Sequence, residues 1–160
     1  MGAGIIGAKP GSTMAMATDG RAFGVGDLYE DSSGNQWVFV KASASFGQYD
    51  VVTYDETYNT TVAALSTSND ARGDKCGVAA VAFASGDYGW LQIYGPCTMN
   101  VKASCAANVR INTTTTAGSL DDDGTTGSIQ VEGIYLTAAR TTTDGSAAGI
   151  LNYPIQGATL

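Results

Sequence analysis

The side chains in this sequence that could do chemistry are carboxylates and thiols, and their spacing decides what chemistry that would be. The chain has 15 Asp and Glu against 8 Lys and Arg, and no histidine. Without imidazole, Ser-His-Asp and Cys-His catalysis and most zinc and iron centres are excluded. Three cysteines, Cys76, Cys97 and Cys105, lack metal-binding spacing, and an odd number makes a poor disulfide framework. They read as reduced, partly buried thiols that behave as small hydrophobes; a Cys97–Cys105 bridge stays open, because the two residues could flank one hairpin. Asp121-Asp122-Asp123-Gly124 offers oxygens to a hard cation. Asp121 and Asp123 fit the first two ligand positions of an EF-hand loop, but Gly124 comes too early and Thr126 stands where that loop needs glycine. A solvated Asp-Gly turn is the favoured reading. Glu30 and Asp31, and likewise Asp55 and Glu56, are adjacent acids. A glycosidase needs two carboxyl groups facing one another across a cleft, whereas neighbours on a strand point to opposite faces. Both pairs therefore read as strand ends.

Gly2-Ala3-Gly4-Ile5-Ile6-Gly7 matches G-x-G-x-x-G, but nothing precedes it to form a strand, and Pro10 and Gly11 follow where a helix should start. Dinucleotide binding needs both, so no cofactor is expected. Trp37, Phe39, Tyr88, Trp90, Tyr94, Tyr135 and Tyr153 could stack on sugars, although aromatic residues in strands more often anchor a core or a subunit interface. The net charge is −7 and the pI about 4.2. The few cations are scattered, which argues against nucleic acid and against anionic membranes, and an acidic surface keeps a protein soluble. No run approaches the ~20 apolar residues of a membrane span. The start, MGAGIIGAKPGST, lacks the basic region of a secretory leader, so folding in the cytoplasm is expected.

The elements that must carry these residues read as strands. At 160 residues the chain suits one domain. Abundant glycine, short runs of Val, Ile and Tyr, and the lack of a helical stripe favour many short strands and tight turns. Residues 1–22 show neither alternation nor a capped helix and read as an extended N-terminal arm, with Ile5, Ile6, Met14 and Met16 as its apolar contact residues. The domain, 23–160, reads as strands at Val25–Tyr29, Gln36–Ala42, Gly47–Tyr54 and Thr60–Leu65, then a polar loop at Ser66–Lys75. Gly77–Ala84, apolar on both faces, should be a central buried strand. Tyr88–Tyr94 follows, Pro96 marks an edge or corner, and Cys97–Ala103 alternates as a half-buried strand. Val109 and Ile111 alternate in the same way. Ser128–Ala138 changes phase between Val131 and Ile134, which predicts a β-bulge near Glu132–Gly133. Thr141–Ala147 reads as a loop and Gly149–Pro154 as the last strand. About nine or ten short strands make a single β-barrel or β-sandwich the natural solution.

Three segments together resemble the small capsid decoration (cement, or head-stabilising) proteins of tailed bacteriophages: VGDLY at Val25–Tyr29 followed by QWVFVKAS at Gln36–Ser43; GVAAVAFASGDYGWLQIYGPCTMNVKAS at Gly77–Ser104; and GSLDDDGTTGSIQVEGIYLTAAR at Gly118–Arg140 closing on ILNYP at Ile150–Pro154. Gly89-Trp90-Leu91-Gln92-Ile93 is the most specific of these. The resemblance implies a non-enzymatic virion structural protein on the outside of an assembled icosahedral capsid. Its partners would be the major capsid protein and itself, as a homotrimer at local three-fold positions or a dimer at two-fold positions, with the arm and Trp90 among the contacts. It brings no catalytic residues, cofactor or metal. Two alternatives stay open: a carbohydrate-binding or host-attachment β-domain, which requires an exposed aromatic platform, and a small carboxylate hydrolase, which requires two acids in one cleft with at least one raised pKa.

Overall fold

The structure, a computed structural model, describes residues 8–15, 23–62 and 73–160. Among these the regular secondary structure is entirely β. Eleven strands run in chain order: β1 (Met14–Ala15), β2 (Leu28–Glu30), β3 (Gln36–Ala42), β4 (Val51–Tyr54), β5 (Asn59–Val62), β6 (Lys75–Ala79), β7 (Asp87–Val101), β8 (Ile111–Thr113), β9 (Leu120–Asp121), β10 (Ile129–Leu136) and β11 (Gly145–Thr159). They form one sheet that returns on itself twice. One closed circuit runs β7-β3-β5-β4-β6 and the other β7-β9-β8-β10-β11, with β7 common to both. The expected all-β barrel-like fold is what the chain adopts.

Alternation along the strands explains the layers. On β3, Val38, Val40 and Ala42 face one cluster together with Val52, Tyr54, Ala79, Leu91 and Ile93, while Trp37 and Phe39 face another with Phe23, Tyr88 and Trp90. On β4 and β6, Val51, Cys76 and Val78 turn to a third cluster with Met99, Val101, Ile111, Leu120, Val131, Ile134, Leu136 and Leu151. Strands β4 and β6 therefore wall off two cores, β3 two, and the long β7 all three along its length, so their sequences are apolar on both faces.

Several boundaries differ from expectation. Strand β6 ends at Ala79 rather than Ala84; the chain then leaves the sheet, and Phe83 bridges to Phe46, whose ring it stacks on at 4.6 Å. Pro96 does not end a strand. It lies inside the 15-residue β7, where the partner changes from β3 to β11 at Tyr94, which pairs with Gln36 on one side and Asn152 on the other. Gly95, at φ +96°, makes this corner. The last strand begins at Gly145, inside the expected loop, because the register of β7 with β11 extends to Val101↔Gly145. Strand β9, in the acidic segment, was not expected: Asp121 pairs with Asn112 and is a strand residue rather than part of a turn. The irregularity at Gly133 is present, but the extra residues lie opposite it on β11. Glu132 pairs Ile155 and Ile134 pairs Leu151, so Asn152–Pro154 bulge against the single Gly133.

Residues 8–15 do not reach away from the domain. Strand β1 pairs with β7 at Met14↔Tyr88 and Ala15↔Asp87, and Ala8 and Met14 pack on the Phe23, Trp37, Phe39, Tyr88 and Trp90 cluster. Ile5, Ile6 and Met16 lie outside the described residues.

Candidate functional site

Each acid pair was expected to be a strand end, and local hydrogen bonding makes it one. Asp31 accepts from the Ser33 and Asn35 backbone N–H groups at 2.8 and 3.0 Å, from Asn35 Nδ2 at 2.9 Å and from Trp37 Nε1 at 3.2 Å. Desolvation in this turn acts to raise its pKa, but the hydrogen bonds outweigh it and hold the carboxyl below its usual range. Glu30 accepts from Gln36 Nε2 at 3.2 Å. Asp55 accepts from the Thr57 hydroxyl at 2.7 Å and from the Thr57 and Asn59 N–H groups at 2.8 and 3.1 Å, and the Thr57 hydroxyl leads in lowering its pKa. Neither adjacent pair forms a two-acid cleft on its own.

The fold does, however, bring a third acid to one of them. The β4–β6 ladder ends at Tyr54↔Lys75, and just beyond it Asp55 and Asp74 line one cavity. Desolvation and the charges of Asp55 and Glu56 raise the Asp74 carboxyl above its ordinary value. Asp55, Glu56, Asp74 and Lys75 line a cavity of about 290 Å³ together with Tyr54 and Tyr58. The two tyrosine rings stack at 5.9 Å. Tyr54, Tyr58 and Lys75 also line an adjoining apolar cavity of about 250 Å³, with Leu28, Ile93, Tyr153, Pro154 and Ile155. Leu28 is 62% and Tyr153 51% exposed, so the apolar lip of this two-part groove, whose halves share Tyr54, Tyr58 and Lys75, faces water.

Two of the groove tyrosines are held in the left-handed region, Tyr58 at φ +60° and Tyr153 at φ +49°. A bulky side chain there costs roughly 1–3 kcal/mol and persists where the surroundings impose it, commonly at a functional surface. The Asp55–Asn59 turn imposes it on Tyr58, whose N–H donates to the Asp55 carbonyl at 3.0 Å. The bulge opposite Gly133 imposes it on Tyr153, whose hydroxyl donates to Gln36 Oε1 at 2.7 Å.

The seven aromatic residues separate into two groups. Trp37, Phe39, Tyr88 and Trp90 are buried. Trp90, expected as a contact residue, is fully enclosed, with its ring 5.0 Å from Phe39, 5.2 Å from Phe23 and 5.7 Å from Tyr29. It presents nothing to a partner, because its position on β7 points into the cluster that β3 also faces. Met14, likewise, is a half-buried contact within its own subunit. Tyr94, Tyr135 and Tyr153 are exposed. Tyr94 stacks on Tyr153 at 5.2 Å, and Tyr94 and Tyr135 line a further cavity. Leu28 and Asp74 are the residues that sequence reasoning missed at this groove, and Tyr153, read there only as one of several aromatics, joins them; only the fold gathers the three.

The acidic segment gains a neighbour as well. The Cys105 thiol and the Asp121 and Asp122 carboxylates lie within 4.8 Å of one another. Desolvation pushes Cys105 up to about 12, and burial does the same to Cys97, so both are thiols rather than thiolates at neutral pH. Burial also raises Asp121, with its neighbouring acids. All three cysteines are free. Comparison with protein-family models and with curated proteins finds no match.

Proposed function

We propose that this chain is a structural virion protein, a capsid decoration protein that coats the outside of an assembled tailed-phage shell in many copies and stabilises it by binding alone, as a homotrimer or dimer. The observation that supports this best is the exposed apolar lip of the groove, Leu28, Tyr153 and Ile155, on a small all-β domain of net charge −7. Such a surface suits docking to a protein. The segments that resemble decoration proteins supply its walls: Leu28 from the first, Ile93 from the second, Tyr153 and Pro154 from the third. The test is co-sedimentation of the chain with expanded shells of a tailed-phage major capsid protein, with light scattering for the free oligomer. Saturable binding at a fixed number of copies per shell is expected; no binding to shells sinks the proposal.

One observation favours a second reading, a carbohydrate-binding or host-attachment domain: the exposed cluster of Tyr94, Tyr135 and Tyr153. Aromatic faces of this kind stack on sugars. Glycan-array binding that is lost in Tyr153→Ala, with no shell binding, would select it.

A further inference from the structure

We propose that the groove shared by Tyr54, Tyr58 and Lys75 receives a lysine or arginine side chain projecting from an apolar segment of a protein partner. This rests on the decoration reading, under which the partner is the shell protein. The two halves of the groove set two requirements on any occupant. The apolar half needs an apolar surface to cover Leu28 and Ile155, which now face water. The acidic half presents the carboxylates of Asp55, Glu56 and Asp74 against the single ammonium of Lys75. Among the described residues the one ion pair is Lys102–Asp144, so no described residue forms an ion pair with a groove charge.

Charge complementarity selects the occupant. Asp55 and Asp74 lie just past the end of the β4–β6 ladder and share one cavity with Glu56, and like charges gathered there repel. An anionic partner would add to that repulsion, and a purely apolar one would strip water from three carboxylates without replacing it. A cation on an apolar stem does neither: its stem lies along the apolar wall, and its head sits among the carboxylates beside the stacked Tyr54 and Tyr58 rings, where cation–π attraction adds to the ion pairing.

The test has two arms. In the first, ring resonances of Tyr54 and Tyr58 are followed by NMR during titration with a short capped peptide of arginine flanked by leucines, and with the same peptide carrying glutamate. Shifts with arginine alone, lost in Glu56→Gln/Asp74→Asn, are expected. No shift, or equal shifts with glutamate, overturns the inference whatever the shells do. In the second, shell binding is measured for the full-length chain, for Glu56→Gln/Asp74→Asn, and for Asp123→Asn as a control outside the groove. The groove variant should bind about tenfold more weakly at low salt with a flatter salt dependence, and the control normally. A groove variant that binds like the unaltered chain overturns the inference and leaves the decoration reading standing. If the unaltered chain does not bind shells, the decoration reading fails and the peptide arm decides the groove alone. A change in oligomer mass in the groove variant would instead assign the groove to a second copy of this chain and overturn the proposal.

Discussion

At the scale of single residues, the structure separates side chains that hold the fold from those that strain it. Trp90 is in the first class. It is fully enclosed by Phe23, Tyr29 and Phe39, and its Nε1–H finds no acceptor among the described residues. Trp90→Ala should lower stability by about 3–5 kcal/mol, a large part of the roughly 5–15 kcal/mol of a whole domain. Trp90→Phe should lose much less, because it also removes the orphaned donor. Urea midpoints check both, and an unchanged midpoint for Trp90→Ala would be incompatible with this packing. Asp74 is in the second class. Its folded pKa is raised above the ordinary 3.8, so the protonated form is favoured by folding. The ionised form weakens the fold at neutral pH, and that weakening disappears as pH falls through the raised pKa to below 3.8. Asp74→Asn should therefore raise the thermal midpoint by about 1 °C at pH 7, a few tenths of a kcal/mol after allowing for solvent screening, and leave it unchanged near pH 3. Asp31 has the opposite sign. Its depressed folded pKa contributes stability above the ordinary value, lost as pH falls through the folded pKa, so Asp31→Asn should lower the midpoint at pH 7 and by progressively less as the pH falls below 3.8.

At the scale of elements, the corners of the long strands carry most of the design. Gly133 sits at φ +76°, and a Cβ there would lie 2.6 Å from the Asn152 carbonyl oxygen, a backbone atom that cannot swing aside. Gly133→Ala should cost about 2–3 kcal/mol and disturb the Tyr153 presentation, visible as a lowered urea midpoint together with shifted Tyr94 and Tyr153 resonances. This irregularity was legible in the sequence because the burial phase of β10 flips between Val131 and Ile134. Its location on β11 was not, since phase shows that registers disagree without showing which strand holds the extra residues. Strand β3 was legible to the residue, its alternation being bounded by a turn and a polar segment. The length of β7 was hidden because Pro96 resembles a terminator until its change of partner is known. The groove was least legible. Asp74 falls in a polar stretch and Tyr153 in a short hydrophobic one, and only the β4–β6 register and the β11 bulge bring them to one surface.

At the scale of the whole molecule, the two closed circuits cannot be independent units. They share β7, and β4 and β6 give one face to each core: Val51, Cys76 and Val78 to one side, Val52 and Ala79 to the other. Unfolding either circuit strips a wall from its neighbour, so the domain should unfold in one cooperative step. The chain carries natural reporters for each side. Both tryptophans, Trp37 and Trp90, lie in the cluster on the outer face of β3 and β7, while Cys76 and Cys105 lie in the core of the other circuit. In a Cys97→Ser background, which removes the half-buried thiol, thiol labelling reads the second core alone, because the remaining thiols are buried and protonated until they are exposed. Urea unfolding followed by tryptophan fluorescence and by thiol labelling should give coincident midpoints. Thiols that open at lower urea than the fluorescence transition would show that the β8–β11 circuit separates first. In that case the wall formed by β4 and β6 would be a seam rather than a shared core.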